Sequence, residues 1–252
     1  MREIQRQLPG ERIVYFGDTA RYPYGQKSPE TVTKFGRQDC AFLLEQDVKL
    51  IVAACNTVSA YALDTLKDEM QVPVIGVVEP GAVAAAKATH RKLVGVVGTD
   101  GTIASGAYQR ALTALDPTIS VFVQACPLFV PLAEEGWIDS AATLLIAQEY
   151  LEPIRESRVD VLVLGCTHYP LLKSVIRKVV GPEVTLTDSA EEAARKKSVV
   201  LDKIDGHSDG ESNFGDRYYV SDVPLRFRDV AERFLGHRLP DVELVSVSGV
   251  NP

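Results

Sequence analysis

Two cysteines stand at the ends of two matching segments. One reads Val48-Lys49-Leu50-Ile51-Val52-Ala53-Ala54-Cys55-Asn56-Thr57; the other reads Val159-Asp160-Val161-Leu162-Val163-Leu164-Gly165-Cys166-Thr167-His168. They align without a gap at a separation of 111 positions. Each is an apolar run of strand length, then Cys, then short polar residues, then a helical pattern. A thiol works as nucleophile or base only as thiolate, and its ordinary pKa is near ~8.5. A strand end before a helix offers backbone N–H donors that favour a thiolate or a bound carboxylate. Two thiols facing each other across a cleft suit one reaction: one removes a proton from a stereocentre and the other delivers a proton to the opposite face.

A free Cys after a buried strand is commonly a small core residue, and Cys55 alone would be read that way. Cys40 and Cys126 are read as core, since neither has a polar follow-on. Gly165-Cys166-Thr167-His168-Tyr169-Pro170 is different, because Thr, His and Tyr crowded after a buried strand are costly to bury without partners. The pairing of Cys55 with Cys166 tips both towards chemistry.

The elements that must position these residues follow from the pattern of apolar runs. Strands are expected at 12–16, 48–54, 72–78, 93–97, 119–123, 159–164, 184–187, 218–220 and 242–247. Most are rich in Val, Ile and Leu without alternation, as in parallel strands buried on both faces. Helices are expected at 2–8, 29–46, 58–70, 102–115, 139–156, 171–180, 189–203 and 224–235. Strand and helix in alternation argue an α/β fold with mainly parallel sheets. Ligands in such sheets bind beyond the carboxyl ends of strands, where both cysteines fall. The duplication implies two α/β sub-domains related by a pseudo-twofold axis, with the active site in the cleft between them. The first is expected to comprise residues 1–78 plus 189–252, the second residues 79–188. The polar, Gly-rich stretch 202–216 reads as a surface loop.

The chain has 252 residues, 46% hydrophobic and 24% charged, with a net charge of −7 and no dense basic patch, so neither nucleic acid nor an anionic membrane is favoured. No apolar run approaches the ~18–20 residues of a membrane span, and the polar start is not a secretion signal, which places the protein in the cytoplasm. Four cysteines are too sparse for a disulfide scaffold and lack zinc-ligand spacing.

Ala54-Cys55-Asn56-Thr57 and Gly165-Cys166-Thr167-His168-Tyr169-Pro170-Leu171 resemble the two signature motifs of glutamate racemases, of the aspartate/glutamate racemase superfamily. Similar too are Gly17-Asp18-Thr19-Ala20-Arg21 with Pro23-Tyr24-Gly25, Val78-Glu79-Pro80-Gly81-Ala82 and Cys126-Pro127-Leu128-Phe129-Val130-Pro131-Leu132. Further matches are Asp188-Ser189-Ala190-Glu191-Glu192 and Tyr219-Val220-Ser221-Asp222 followed by Arg226-Phe227. The resemblance implies cofactor-independent interconversion of L- and D-glutamate, supplying D-glutamate for peptidoglycan. It makes Cys55 and Cys166 the acid/base pair, the first acting on D-glutamate and the second on L-glutamate, with His168 and Glu134 assisting Cys166. It implies substrate contacts at Tyr24, Gly25, Asn56, Thr57, Thr99, Thr102, Thr167 and His168. Glutamate is then the small-molecule partner; neither metal nor pyridoxal phosphate takes part, and assembly as a homodimer is left open.

The resemblance also marks a departure. The family begins with a strand ending in Asp-Ser-Gly, whose Asp assists the first Cys and whose Ser holds substrate. This sequence opens inside the helix that should follow. A start read too late, a fragment, or a shortened paralogue that binds amino acids without racemising them would each give this pattern, and a product without the strand is expected to fold poorly. A racemase of aspartate or a related substrate is the rival within the class. Glu79-Pro80-Gly81 reads as a turn between the halves and Asp188-Ser189 with Glu192 as a helix N-cap. Asp18 either bonds in the site or caps a turn, and Trp137 is packing or interface.

Overall fold

The computed structural model describes residues 1–208, 215–239 and 241–247. Part of the expected polar loop, 209–214, lies outside the described residues.

The strands are β1 (Val14–Gly17), β2 (Ile51–Ala53), β3 (Val74–Gly76), β4 (Leu93–Gly98), β5 (Ser120–Ala125), β6 (Val161–Gly165), β7 (Thr185–Thr187), β8 (Arg217–Val220) and β9 (Val242–Leu244). The helices are α1 (Arg2–Gln7), α2 (Pro29–Leu44), α3 (Asn56–Tyr61), α4 (Leu63–Glu69), α5 (Val78–Ala88), α6 (Asp100–Ala104), α7 (Ala107–Leu115), α8 (Phe129–Glu134), α9 (Ala141–Glu156), α10 (Lys173–Val180), α11 (Ala190–Lys203) and α12 (Pro224–Leu235). The described strands form a four-stranded sheet in the order β5-β4-β6-β7, a three-stranded sheet β1-β8-β9 and a two-stranded pair β2-β3. Every described pairing is parallel, which bears out the α/β reading.

The four-stranded sheet carries apolar layers on both faces. Phe129, Leu151, Ile154 and Ile176 pack against Leu162 and Leu164 on one side. Ala82, Ala85, Tyr108 and Leu112 pack against Val94, Val161 and Val163 on the other. Two-sided burial explains why β4 and β6 read as unbroken Val/Leu runs. A third cluster, Val32, Cys40, Ile51, Val58, Leu66 and Val74, joins α2, α3 and α4 to the β2-β3 pair. Cys40 is core, as expected, and so is Cys126. Among the described residues no helix is long and apolar enough to cross a membrane.

Several local expectations are corrected. The helix expected at 58–70 begins at Asn56 and breaks at Ala62, giving α3 and α4. The helix expected at 102–115 breaks at Gly106, whose φ of 65° is left-handed, giving α6 and α7. Glu79-Pro80-Gly81 is the first turn of α5 and not a turn between the halves. Proline is tolerated there because the first N–H groups of a helix have no partner within it. Proline also concealed α8, in which Pro131 lies in the first turn and Glu134 at the end. Ser189 does not cap α11 through its side chain. Asp188 accepts from the Ala190 N–H instead (3.0 Å) and pairs with Lys173 (2.6 Å).

Candidate active site

Cys55 follows β2 and immediately precedes α3; Cys166 follows β6. Cys55 is half-buried and Cys166 buried. The Cys55 thiol is raised, chiefly by burial, with the charge of Cys166 adding to it. The neighbouring Val58 and Thr57 N–H groups and the Thr57 hydroxyl favour the thiolate and oppose the rise.

The polar residues behind Cys55 are fixed by contacts from distant parts of the chain. The Asn56 Oδ1 accepts from the Tyr108 hydroxyl (2.8 Å), and both side chains are buried. The Thr57 Oγ1 lies 3.0 Å from Thr99 Oγ1 and 3.1 Å from Thr102 Oγ1, which are themselves 3.1 Å apart. Thr99 also caps α6, its hydroxyl accepting the Thr102 N–H (3.4 Å). Three buried hydroxyls in a triangle satisfy one another, so none carries the desolvation cost of an orphan. The triangle ties the end of β2 to the end of β4.

Behind Cys166 the arrangement is ionic. The His168 Nδ1 lies 3.9 Å from the Cys166 Sγ and 3.4 Å from the Thr167 hydroxyl. Its Nε2 lies 2.5 Å from the Glu134 Oε1. Burial opposes a charged ring, but the hydrogen bonds to Cys166 and Glu134 prevail and push His168 up to about 10. Both ring nitrogens thus face partners that favour the charged ring, Glu134 on one side and the Cys166 sulfur on the other. The Phe234 ring packs edge-on at 5.8 Å from the His168 ring, and Arg233 Nη1 donates to the Glu134 carbonyl (3.3 Å), so α12 backs this pair.

Tyr24 and Gly25 sit in a one-turn 3-10 helix, Tyr24–Gln26. The Tyr24 phenol donates to Asp18 and lies 3.0 Å from Asp39. Gly25 presents backbone: a Cβ there would fall 2.4 Å from Thr99 Cβ, which only glycine avoids. A groove of about 310 Å³ opens between Tyr22, Pro23, Gly25 and Gln26 on one side and Thr99, Pro127, Val130, Pro131 and Glu134 on the other.

The structure thus brings Cys55, Asn56, Thr57, Thr99 and Thr102 together around one strand end, and Cys166, Thr167, His168 and Glu134 around the other. Gly25 closes on the first group, whereas the Tyr24 side chain belongs to a different network. Two residues went unremarked in the sequence. Tyr108 lies in α7 as an ordinary apolar-face residue, with no local sign that it holds Asn56. Tyr15 stacks on Phe227, and its hydroxyl is pushed up to about 12, chiefly by burial. Asp18 pairs with Arg21 (2.6 Å) and accepts from Ser221 (2.9 Å) and from the Tyr24 hydroxyl, which makes it part of the Tyr24 network.

This is a pair of thiols at equivalent strand ends of a parallel α/β fold, each with its own polar escort. Residues 1–196 match the model of the Asp/Glu/Hydantoin racemase family, and the chain belongs to that family. Within it, the similarity runs to glutamate racemases. The chain is 51% identical to the glutamate racemase of Geobacter metallireducens, over 98% of this chain and 92% of that protein. It is 48% identical to that of Syntrophus aciditrophicus over the same shares. The crystal structure of the Francisella tularensis glutamate racemase in complex with D-glutamate superposes with a TM-score of 0.91 at 38% identity, covering 99% of this chain and 93% of that one. A Bacillus anthracis glutamate racemase isoform superposes with a TM-score of 0.90 at 40% identity, covering 97% and 91%.

Proposed function

We propose that this protein interconverts L- and D-glutamate by a cofactor-independent two-thiol mechanism. The observation that carries the reading is the pair of cysteines at matching strand ends, each followed by buried or part-buried polar residues, in a chain about half identical to glutamate racemases over nearly its whole length. One cysteine, as thiolate, takes the Cα proton; the electron pair left on carbon delocalises into the adjoining carboxylate; the other cysteine, as thiol, returns a proton to the opposite face. Cys55 acts on D-glutamate and Cys166 on L-glutamate. The imidazolium of His168, held by Glu134, accompanies negative charge on Cys166. The backbone around Gly25 and the side chains of Asn56, Thr57, Thr99, Thr102 and Thr167 hold the substrate. Abstraction of so weakly acidic a proton requires a positioned base and donors aimed at the carboxylate.

The two cysteine segments belong to two sub-domains, residues 1–78 with 189–252 and residues 79–188, and the substrate lies in the cleft between them. The enzyme works in the cytoplasm and supplies D-glutamate for peptidoglycan.

The test is proton exchange in deuterated water. Deuterium is expected at Cα of the product formed from either enantiomer of glutamate, and aspartate is expected to exchange far more slowly. Binding of glutamate with no exchange would overturn the reading.

A further inference from the structure

Below the Tyr24–Gln26 turn, Arg21 sits between two carboxylates. Its Nε donates to Asp18 Oδ2 (2.6 Å) and its Nη2 to Asp39 Oδ1 (2.8 Å), while Nη1 donates to Gln38 Oε1 (2.5 Å). The Arg21 guanidinium also stacks 4.2 Å above the Phe35 ring. The three charged side chains are 6% (Asp18), 10% (Arg21) and 21% (Asp39) exposed, so solvent screens them little. The Tyr24 hydroxyl lies against Asp18 and 3.0 Å from Asp39. Ser221, in the loop after β8, donates to Asp18 Oδ1 (2.9 Å) and accepts the Ala20 N–H (2.9 Å).

We infer that Asp39 and Arg21 are positioning residues for the substrate site: with Asp18 they lock the Tyr24 side chain, and through it hold the Gly25 backbone against Thr99. This rests on the glutamate racemase reading above. The packing carries it. The Gly25 carbonyl oxygen lies 3.1 Å from where a Cβ on Gly101 would be, and Gly25 itself has no room against Thr99. Any drift of Tyr24 therefore moves the triangle of Thr57, Thr99 and Thr102. Arg21 is suited to the task because its planar fork reaches Asp18, Asp39 and Gln38 at once, which a lysine ammonium cannot.

The proton count supports the same picture. A phenol has one proton and cannot donate to two carboxylates together. Two carboxylates against one guanidinium also leave an uncompensated buried charge. One further proton shared between the two carboxylates relieves both. Burial and the neighbouring Asp18 push Asp39 up to about 7, against the pull of Arg21. The titratable groups facing it are Asp18, Arg21 and Tyr24, with Cys40 next to it on α2.

Steady-state racemisation of both enantiomers by the parent, Asp39→Ala, Arg21→Ala and Asp39→Asn tests the inference. Asp39→Ala and Arg21→Ala are expected to raise KM about tenfold for both enantiomers with kcat changed less than about threefold. Asp39→Asn keeps an oxygen for Arg21 and an N–H for Tyr24, and is expected to hold KM within about threefold of the parent. A merely structural role would lower the melting temperature and the active fraction while leaving KM alone. Should Asp39→Ala not fold, Tyr24→Phe removes only the hydroxyl and is expected to raise KM about fivefold. A folded Asp39→Ala or Tyr24→Phe with the parental KM overturns the inference while the racemase reading stands. A parent that binds glutamate without exchange overturns the racemase reading, and the network is then read from calorimetric Kd, with the same expected ratios. A parent that neither binds nor exchanges glutamate overturns both.

Discussion

Glu134→Gln isolates the charge that sustains the His168 imidazolium. The substitution keeps the shape and one hydrogen-bonding oxygen 2.5 Å from Nε2, and removes only the negative charge. His168 rises from its ordinary 6.5 to about 10. That rise is worth roughly 5 kcal/mol of preference for the charged ring, at about 1.4 kcal/mol per pKa unit. Two partners, Cys166 and Glu134, produce it against the opposing effect of burial. Loss of the Glu134 charge should forfeit about half, roughly 2 kcal/mol, and lower the His168 pKa by about 1.5. The sign for stability follows from the raised value. The ion pair contributes fully below the ordinary histidine pKa and is lost as pH rises through about 10. The variant is therefore expected to be roughly 2 kcal/mol less stable near pH 6 and to match the parent near pH 11. The assay is an NMR titration of the imidazole resonances, paired with kcat against pH for L-glutamate. The basic limb of the kcat profile should move down with the histidine. A His168 pKa within about 0.5 of the parent's, or a histidine that moves while the kcat limb does not, would refute the reasoning.

Three further outcomes are expected. Gly25→Ala brings a Cβ to 2.4 Å from Thr99 Cβ, so kcat/KM should fall at least about tenfold together with the melting temperature; unchanged kinetics would mean that the Tyr24–Gln26 turn is free to retreat. Tyr108→Phe removes the 2.8 Å bond to Asn56 Oδ1 and leaves a buried acceptor unpaired, at a cost of about 1–3 kcal/mol measurable by urea denaturation, with a loss of kcat from the unfixed amide. Because Asp39 is raised to about 7, the folded state holds a proton that the unfolded chain releases near ~4, and parental stability is expected to decline from pH 4 to 7. Asp39→Asn should flatten that decline, and parallel slopes in the two proteins would contradict it.

Residue order alone was enough to read the class of fold and to single out the two cysteine-bearing strand ends as candidates. Parallel strands buried on both faces must be continuous apolar runs, so β4 and β6 announce themselves, and a Cys followed by polar residues at such an end is legible as a site. The internal repeat raised Cys55 and Cys166 above Cys40 and Cys126, whose burial in apolar clusters matches their plain surroundings. Helices α5 and α8 were not legible, because proline in a first turn reads locally as a turn; with α8 went the structural reason for Glu134. Only the tertiary structure decided what holds the site together. The contacts of Thr57 with Thr99 and Thr102, and of Asn56 with Tyr108, join residues 42, 45 and 52 positions apart. Asp18 meets Ser221 across 203 positions. A local pattern records the periodicity with which a segment buries its own face. It holds no record of which hydroxyl another segment will bring to that face, and the site is made of such meetings.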